Sequence, residues 1–174
     1  MSRRKRPAAV LFDRDGTLIV DIPYNRDPHR VHPMPGALSA LNRLRRADVL
    51  TGVVTNQSGL ARGLISVEEL YEVNSRVESL LGPFDVWAVC SHGEDDGCAC
   101  RKPAPGLILR AAAILGVSTR DCVVIGDIGR DMEAARAAGA RGILVPTPQT
   151  LPREVAAASE TADDLAAAVE RVIR

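Results

Sequence analysis

The sequence predicts a doubly wound α/β protein: a parallel Rossmann-like sheet of five or slightly more strands, with helices on both faces and no large cap domain. Short apolar runs alternate with segments of helical period, strand then helix, five times along the chain. Such an alternation closes as right-handed strand–helix–strand units in one parallel sheet. Most of these runs end in acids or small polar residues, and ligands in such sheets gather beyond the carboxyl ends of the strands. No interval between elements is long enough for a large second domain, so residues 1–174 read as one domain, able to bury roughly 70% of its unfolded surface.

The first element is Ala8 to Phe12, five apolar residues of the length of a strand buried on both faces, stopping at Asp13-Arg14-Asp15-Gly16-Thr17. Ahead of it, residues 1–7 read as a solvated basic tail. Leu18 to Pro35 has no helical period and many polar side chains, among them Asp21 and Tyr24; loops this long usually carry function. Gly36 opens a helix with Leu38, Leu41 and Leu44 on one stripe. Val49 to Val54 is the second strand, ending in Thr55-Asn56-Gln57-Ser58-Gly59. Ser66 and Glu69 form a capping box for a helix that buries Val67, Leu70, Val73, Val77, Leu80 and Leu81 and stops at Gly82-Pro83. Val86 to Val89 is the third strand, with Cys90 at its end.

A helix bracketed by Pro105 and Gly116 turns Leu107, Ile108, Ala111, Ala112 and Leu115 inward. Cys122 to Ile125 is the fourth strand, leading to Gly126-Asp127 and Asp131, with Cys122 as a core residue rather than a ligand. A short helix, Met132 to Ala138, leads to the fifth strand at Ile143 to Val145. The chain closes with an alanine-rich helix from about Ala162, capped by Thr161.

Composition excludes several partners. Lysine plus arginine equals aspartate plus glutamate at 22 each, which removes the electrostatic case for nucleic acid. Aromatic residues, at 3%, are too few for a base-stacking platform. No apolar run approaches the roughly 20 residues that span a bilayer, and Ala8 to Phe12 is too short for a signal-peptide core. The expectation is a cytoplasmic protein with a small-molecule partner. Nothing demands a second subunit, so a monomer is the default.

If the strand ends converge, Asp13, Asp15, Thr55, Asn56, Arg101, Lys102, Asp127 and Asp131 share one site. Clustered carboxylates require a counter-charge, and a hard divalent cation such as magnesium with oxygen ligands meets that need. Thr55 and Asn56 would donate to phosphate oxygens and Lys102 would add positive charge. Acids, a cation and donors together describe phosphoryl chemistry. Separately, Cys90-x-His92-x5-Cys98-x-Cys100 supplies the four ligands of a closed zinc site. The spacing is not the common Cys-x-x-Cys knuckle, so free thiols in an exposed loop are the competing reading.

Asp13-Arg14-Asp15-Gly16-Thr17, Thr55, Lys102, and Gly126-Asp127 with Asp131 resemble the four motifs of the haloacid dehalogenase superfamily of phosphatases, over about Ala8 to Val145. The resemblance implies the strand order 5-4-1-2-3 with Asp13 beside Asp127. It implies that Asp13 is a nucleophile forming an aspartyl-phosphate and that Asp15 is the acid and then the base. By the same resemblance magnesium is held by Asp13, the Asp15 carbonyl and Asp127, Asp131 supports that site, and Thr55 and Lys102 hold the phosphoryl oxygens.

Thr55-Asn56-Gln57-Ser58-Gly59 with Arg62-Gly63, the cysteine loop, and Cys100-Arg101-Lys102-Pro103-x-Pro105-Gly106 are similar to the zinc-loop branch of that superfamily. That branch comprises the D-glycero-D-manno-heptose 1,7-bisphosphate phosphatases and their nearest relatives, the histidinol phosphatases. This likeness implies a structural zinc and a sugar bisphosphate substrate. It also implies substrate contacts from Asp21 to Tyr24, from Thr55, Asn56, Gln57 and Ser58, and from Arg101 beside Lys102. Two positions depart from the pattern: Ile128 stands where lysine is usual and Pro23 where glycine is common. Histidinol-phosphate hydrolysis is the competing activity. A phospho-accepting switch module is the alternative of another class, disfavoured because Asp15 is placed to hydrolyse the acyl phosphate that a switch must keep.

Overall fold

The computed structural model describes residues 6–174. Of the predicted basic tail, residues 1–5 lie outside the described residues; Arg6 is exposed and donates to the carbonyl of Ala47 at 3.2 Å. The strands are β1 (Ala9–Phe12), β2 (Leu50–Asn56), β3 (Val86–Cys90), β4 (Cys122–Gly126) and β5 (Arg141–Leu144). They form one parallel sheet in the order β3-β2-β1-β4-β5, as predicted. In register, Leu11 of β1 stands beside Gly52 of β2 and Val124 of β4, which brings the ends of β1 and β4 level. Gly52 lets β3 approach closely, because a Cβ there would sit 2.4 Å from Val86 Cγ1.

Among the described residues, six α-helices cover the sheet: α1 (Ala37–Arg46), α2 (Val67–Leu81), α3 (Gly106–Leu115), α4 (Gly129–Ala138), α5 (Pro152–Ala157) and α6 (Leu165–Ile173). Alternation along β1 divides the core. Val10 and Phe12 pack with Leu41 and Leu44 of α1, Val73 and Val77 of α2, and Leu165 and Val169 of α6. On the other face Leu11 packs with Leu107 and Ile108 of α3 and Ala134 and Ala135 of α4. Both faces of β1 are therefore covered, which is why its sequence is an unbroken apolar run. Cys122 is buried in the core, and burial pushes its thiol up to about 11.

Several boundaries differ from the sequence expectation. Thr55 and Asn56 belong to β2 itself, because the ladder with β3 continues through Thr55–Val89 and Asn56–Cys90. The inward stripe of α1 is Ala37, Ala40, Leu41 and Leu44, leaving Leu38 exposed; Val67 at the start of α2 is exposed as well. The Ser66–Glu69 capping box is present in both directions, at 3.1 and 2.8 Å. The last helix starts later than predicted, with Asp164 rather than Thr161 as its cap, accepting from Ala167 N at 2.7 Å. Residues 160–162 are instead drawn to the open edge of β5, where Leu144 N donates to Glu160 O and Ala162 N to Leu144 O, both at 2.9 Å. The sequence reading missed α5, a six-residue helix with too few turns to display a period.

Candidate active site

Asp13 is the first residue beyond β1. Its amide donates to Ile125 O at 2.9 Å, continuing the ladder with β4 by one step and setting Asp13 beside Asp127, which directly follows β4. Lys102 approaches from the loop ahead of α3. Its Nζ is buried and donates to Asp13 Oδ1 at 2.7 Å, Asp131 Oδ1 at 2.6 Å and Val54 O at 2.9 Å, which commits all three of its protons. Asp131, in the first turn of α4, also accepts from Ile128 N at 3.3 Å through Oδ2. Gly126 makes room for it, since a Cβ there would lie 2.3 Å from Asp131 Oδ2. Gly16 has φ +79° and is likewise pressed on the site, where a Cβ would lie 2.3 Å from Asp127 Oδ2.

The electrostatics follow from this crowding. Burial holds the Asp13 carboxyl well above its ordinary value; Lys102 opposes this, while Asp131, Asp127 and Asp15 add to it. Asp127 is pushed up to about 7, first by burial and then by Asp131, against Lys102. Lys102 is raised by its two aspartates despite its own burial. The centre therefore has more carboxylate than one ammonium can balance.

Oxygens of Asp13, Asp127 and Asp131 lie within 4.8 Å of one another. Both oxygens of Asp131 are engaged by protein donors, whereas Asp13 keeps Oδ2 beyond its bond to Lys102 and Asp127 turns Oδ2 toward Gly16. A surplus of buried negative charge with two available carboxylates fits a small hard cation such as magnesium.

Asp15 is locked by its neighbours. Arg14 places its fork on it, Nε to Oδ1 at 3.2 Å and Nη2 to Oδ2 at 3.0 Å, while Arg14 Nη1 donates to Asn74 of α2 at 2.7 Å. Gln57 Nε2 donates to both Asp15 Oδ2 and Thr55 Oγ1, each at 2.9 Å, so Asp15, Gln57 and Thr55 form one network. Asn56, expected to donate to a phosphate, clamps the main chain of Lys102, with Oδ1 accepting from Lys102 N and Nδ2 donating to Lys102 O, both at 3.0 Å. Asp21, Tyr24 and Ser58 stand outside this network. Tyr24 is exposed at φ 51°, packs against Gly59 and carries the Arg62 guanidinium 5.8 Å from its ring centroid, so the Asp21–Tyr24 segment docks on the loop after β2. Burial, then Asp15, raises the Asp21 carboxyl.

The cysteine–histidine loop forms a second cluster. Cys90 Sγ is 3.5 Å from His92 Nδ1 and 3.7 Å from Cys98 Sγ, and Cys100 Sγ lies 3.3 Å from Cys90, 3.3 Å from His92 and 3.5 Å from Cys98. Disulfides, at about 2.05 Å, are excluded. Zinc–sulfur bonds of about 2.3 Å give tetrahedral sulfur–sulfur edges of about 3.8 Å, close to these separations. Burial pushes Cys90 up to about 12; for Cys98 burial acts the same way, but the Arg101 N–H and the neighbouring thiols bring it down to about 7. The donor set fits zinc. Arg101 is tied back to this loop, donating to His92 O at 3.4 Å and Glu94 Oε1 at 3.2 Å.

The HAD-hydrolase-like family model matches residues 99–171, which hold Lys102, Asp127 and Asp131. The D-glycero-β-D-manno-heptose-1,7-bisphosphate 7-phosphatase of Bordetella bronchiseptica is 36% identical over 174 aligned residues, covering 95% of this chain and 97% of that protein. The chain belongs to this phosphatase family. The Pseudomonas aeruginosa enzyme of the same name is 34% identical, with the same 95% and 97% coverage. Among solved structures, the B. bronchiseptica heptose-bisphosphate phosphatase complexed with magnesium and phosphate superposes with a TM-score of 0.83 at 33% identity, covering 95% of this chain and 98% of that one. A HAD-like phosphatase of Mesorhizobium loti gives a TM-score of 0.76 at 32% identity, covering 100% and 92%.

For a chain of this HAD-like phosphatase family, the sequence reading left out Arg14, Thr17 and Asn74. Thr17 Oγ1 lies 3.4 Å from Asp127 Oδ1. Arg14 offered a signal, a cation set between two acids, but that pattern reads equally as a solvated turn.

Proposed function

We propose that this chain is a magnesium-dependent phosphoric monoester hydrolase that removes the 7-phosphate of D-glycero-β-D-manno-heptose 1,7-bisphosphate and leaves the heptose 1-phosphate. The observation that carries this reading is the buried Lys102 ammonium held jointly by Asp13 and Asp131 beside Asp127, in a chain aligned over nearly its whole length with phosphatases of that name.

Asp13 Oδ2 attacks the phosphorus of the 7-phosphate and the bond from phosphorus to the sugar oxygen breaks. Asp15 gives the departing oxygen a proton. The product on the enzyme is an acyl phosphate at Asp13, which splits one difficult displacement into two easier ones. Asp15, now ionised and held by Arg14 and Gln57, takes a proton from water as that water attacks the phosphorus, releasing phosphate and restoring Asp13. Thr55 holds a transferring oxygen, Lys102 lends its positive charge to that group while its protons stay on Asp13, Asp131 and Val54, and Asn56 positions Lys102 through its main chain. Bound by Asp13, the Asp15 carbonyl and Asp127, magnesium supplies positive charge to the oxygens of the transferring group. Cys90, His92, Cys98 and Cys100 would hold zinc, which would fix the loop that delivers Arg101 and Lys102. Arg101, Gln57, Ser58 and the Asp21–Tyr24 segment line the path of the sugar.

The reading carries a cytoplasmic location and a monomeric state, checked by fractionation and light scattering. No helix among the described residues is long and apolar enough to cross a membrane. The deciding assay is phosphate release from both anomers of the heptose bisphosphate, from heptose 7-phosphate and from histidinol phosphate. The heptose bisphosphate should turn over fastest, with activity lost in Asp13→Asn. Faster turnover of histidinol phosphate would overturn the substrate assignment.

A further inference from the structure

Glu94, in the loop that carries the cysteine–histidine cluster, accepts from two guanidiniums through a single oxygen. Arg101 Nη2 and Arg130 Nη1 each lie 3.2 Å from Glu94 Oε1. The two arginines come from segments whose next residues meet at the reaction centre: Lys102 follows Arg101, Asp131 follows Arg130, and Lys102 Nζ binds Asp131. One carboxylate facing two guanidiniums leaves positive charge uncompensated. Two other acids of this wall are engaged elsewhere: Glu154 accepts from Gly129 N at 3.0 Å and Leu151 N at 2.8 Å, and Glu160 pairs with Arg141 at 2.6 Å. Glu94, Arg101, Lys102 and Arg130 line one cavity of ≈ 1240 Å³, whose walls carry six cationic and four acidic side chains. The lining reaches the reaction centre only at Lys102 and includes none of Asp13, Asp15, Thr55 or Asp127, so the cavity lies beside that centre, where the untransferred end of a substrate would extend.

The pair is built to be exchanged. The Glu94 and Arg130 side chains are 53% and 48% exposed, and ion pairs so open to water hold weakly. Arg101 is 14% exposed and also anchored on His92 O, so it stays in place when Glu94 leaves. A phosphate carries more charge than a carboxylate and presents several oxygens to the planar forks of two guanidiniums.

We propose that Arg130, together with Arg101, receives the second, untransferred phosphate of the substrate, and that Glu94 is the internal counter-ion which this phosphate displaces. Arg130 is thus a specificity determinant for bisphosphates. The inference rests on the bisphosphate reading above. A monophosphate has nothing to exchange for Glu94 and leaves the pair closed.

The test compares heptose 1,7-bisphosphate with heptose 7-phosphate, which differ only in the second phosphate, in wild type, Arg130→Ala, Arg130→Lys and Glu94→Gln. Loss of one charge-assisted contact corresponds to about a 10- to 100-fold effect. Arg130→Ala should therefore lower kcat/KM for the bisphosphate by that factor more than for the monophosphate, chiefly through KM. Arg130→Lys should recover part of the loss. Glu94→Gln should act oppositely, lowering KM for the bisphosphate and raising the preference for it. A merely structural salt bridge would move both substrates together, and equal changes in Arg130→Ala would overturn the proposal. Failure of the heptose assignment is seen separately, as slow turnover of both heptose substrates by the wild type. The same ratio is then read on fructose 1,6-bisphosphate and fructose 6-phosphate, where equal losses again overturn it.

Discussion

Replacing Lys102 by methionine keeps the stem of the side chain and deletes the ammonium. In the wild type that ammonium is buried and bonded to two carboxylates at 2.7 and 2.6 Å, with Asp127 close by. Its removal leaves three buried aspartates without a protein cation, and breaking a buried pair in this way costs about 3–5 kcal/mol. The side chain is 4% exposed, so water screens little of that cost. For a chain of this length each kcal/mol moves the melting temperature by about 2–4 °C, so Lys102→Met should melt about 6–20 °C lower in metal-free buffer. Magnesium held by Asp13 and Asp127 would restore the charge balance, so it should raise the melting temperature of the variant more than that of the wild type. Turnover should fall by about 100- to 1,000-fold, as when one donor to a developing charge is lost. Thermal melting with and without magnesium, alongside phosphate release, reads all three effects. A variant that melts and turns over like the wild type would refute the central role given to Lys102.

Asp127 sits at about 7 in the metal-free fold against an ordinary carboxylate value of 3.8. Its contribution to metal-free stability is therefore fully present below pH 3.8 and lost as the pH rises through about 7. A proton competes with magnesium there, so calorimetric magnesium affinity should rise about tenfold per pH unit below 7 and level off above it; a flat profile would contradict the assignment. Metal analysis should find about one zinc per chain, and Cys98→Ser should lose both zinc and activity; full activity with zinc measured absent would remove the cluster from the account. Asn56→Ala removes two bonds to the Lys102 main chain and should lower kcat about tenfold with the overall fold intact by circular dichroism; an unchanged kcat would show that Lys102 needs no such clamp.

The strand-end acids were legible because an apolar strand has no structural use for Asp13 or Asp127 at its tip, and the strand order then brings them together. Lys102 was legible from its motif, although its three partners come from the residue after β1, from β2 and from α4 and lie far away in sequence. The Asn56 clamp on Lys102 was not legible, because β2 was expected to end at Val54. Once Thr55 and Asn56 are within the strand, period-two alternation sends them to opposite faces, and only Thr55 joins the Asp15 network. Leu38 was misplaced for a related reason, since 38, 41 and 44 share a coarse stripe but Ala37 and Ala40 define the buried centre of it. Thr161, expected to cap α6, is instead bridged to Leu144 at the edge of β5, so the helix starts later, behind Asp164. The Glu94–Arg101–Arg130 grouping had no local signature, since Arg130 lies 36 residues from Glu94.

The central claim is that Asp13 carries the phosphoryl group. Rapid acid quench of wild type and Asp15→Asn turning over heptose bisphosphate labelled in its 7-phosphate, followed by peptide mapping, tests it directly. The label should appear on the peptide containing Asp13 and persist longer in Asp15→Asn, which lacks the base for the second step. Turnover without protein-bound label in either protein, or label on a peptide other than that of Asp13, would contradict it.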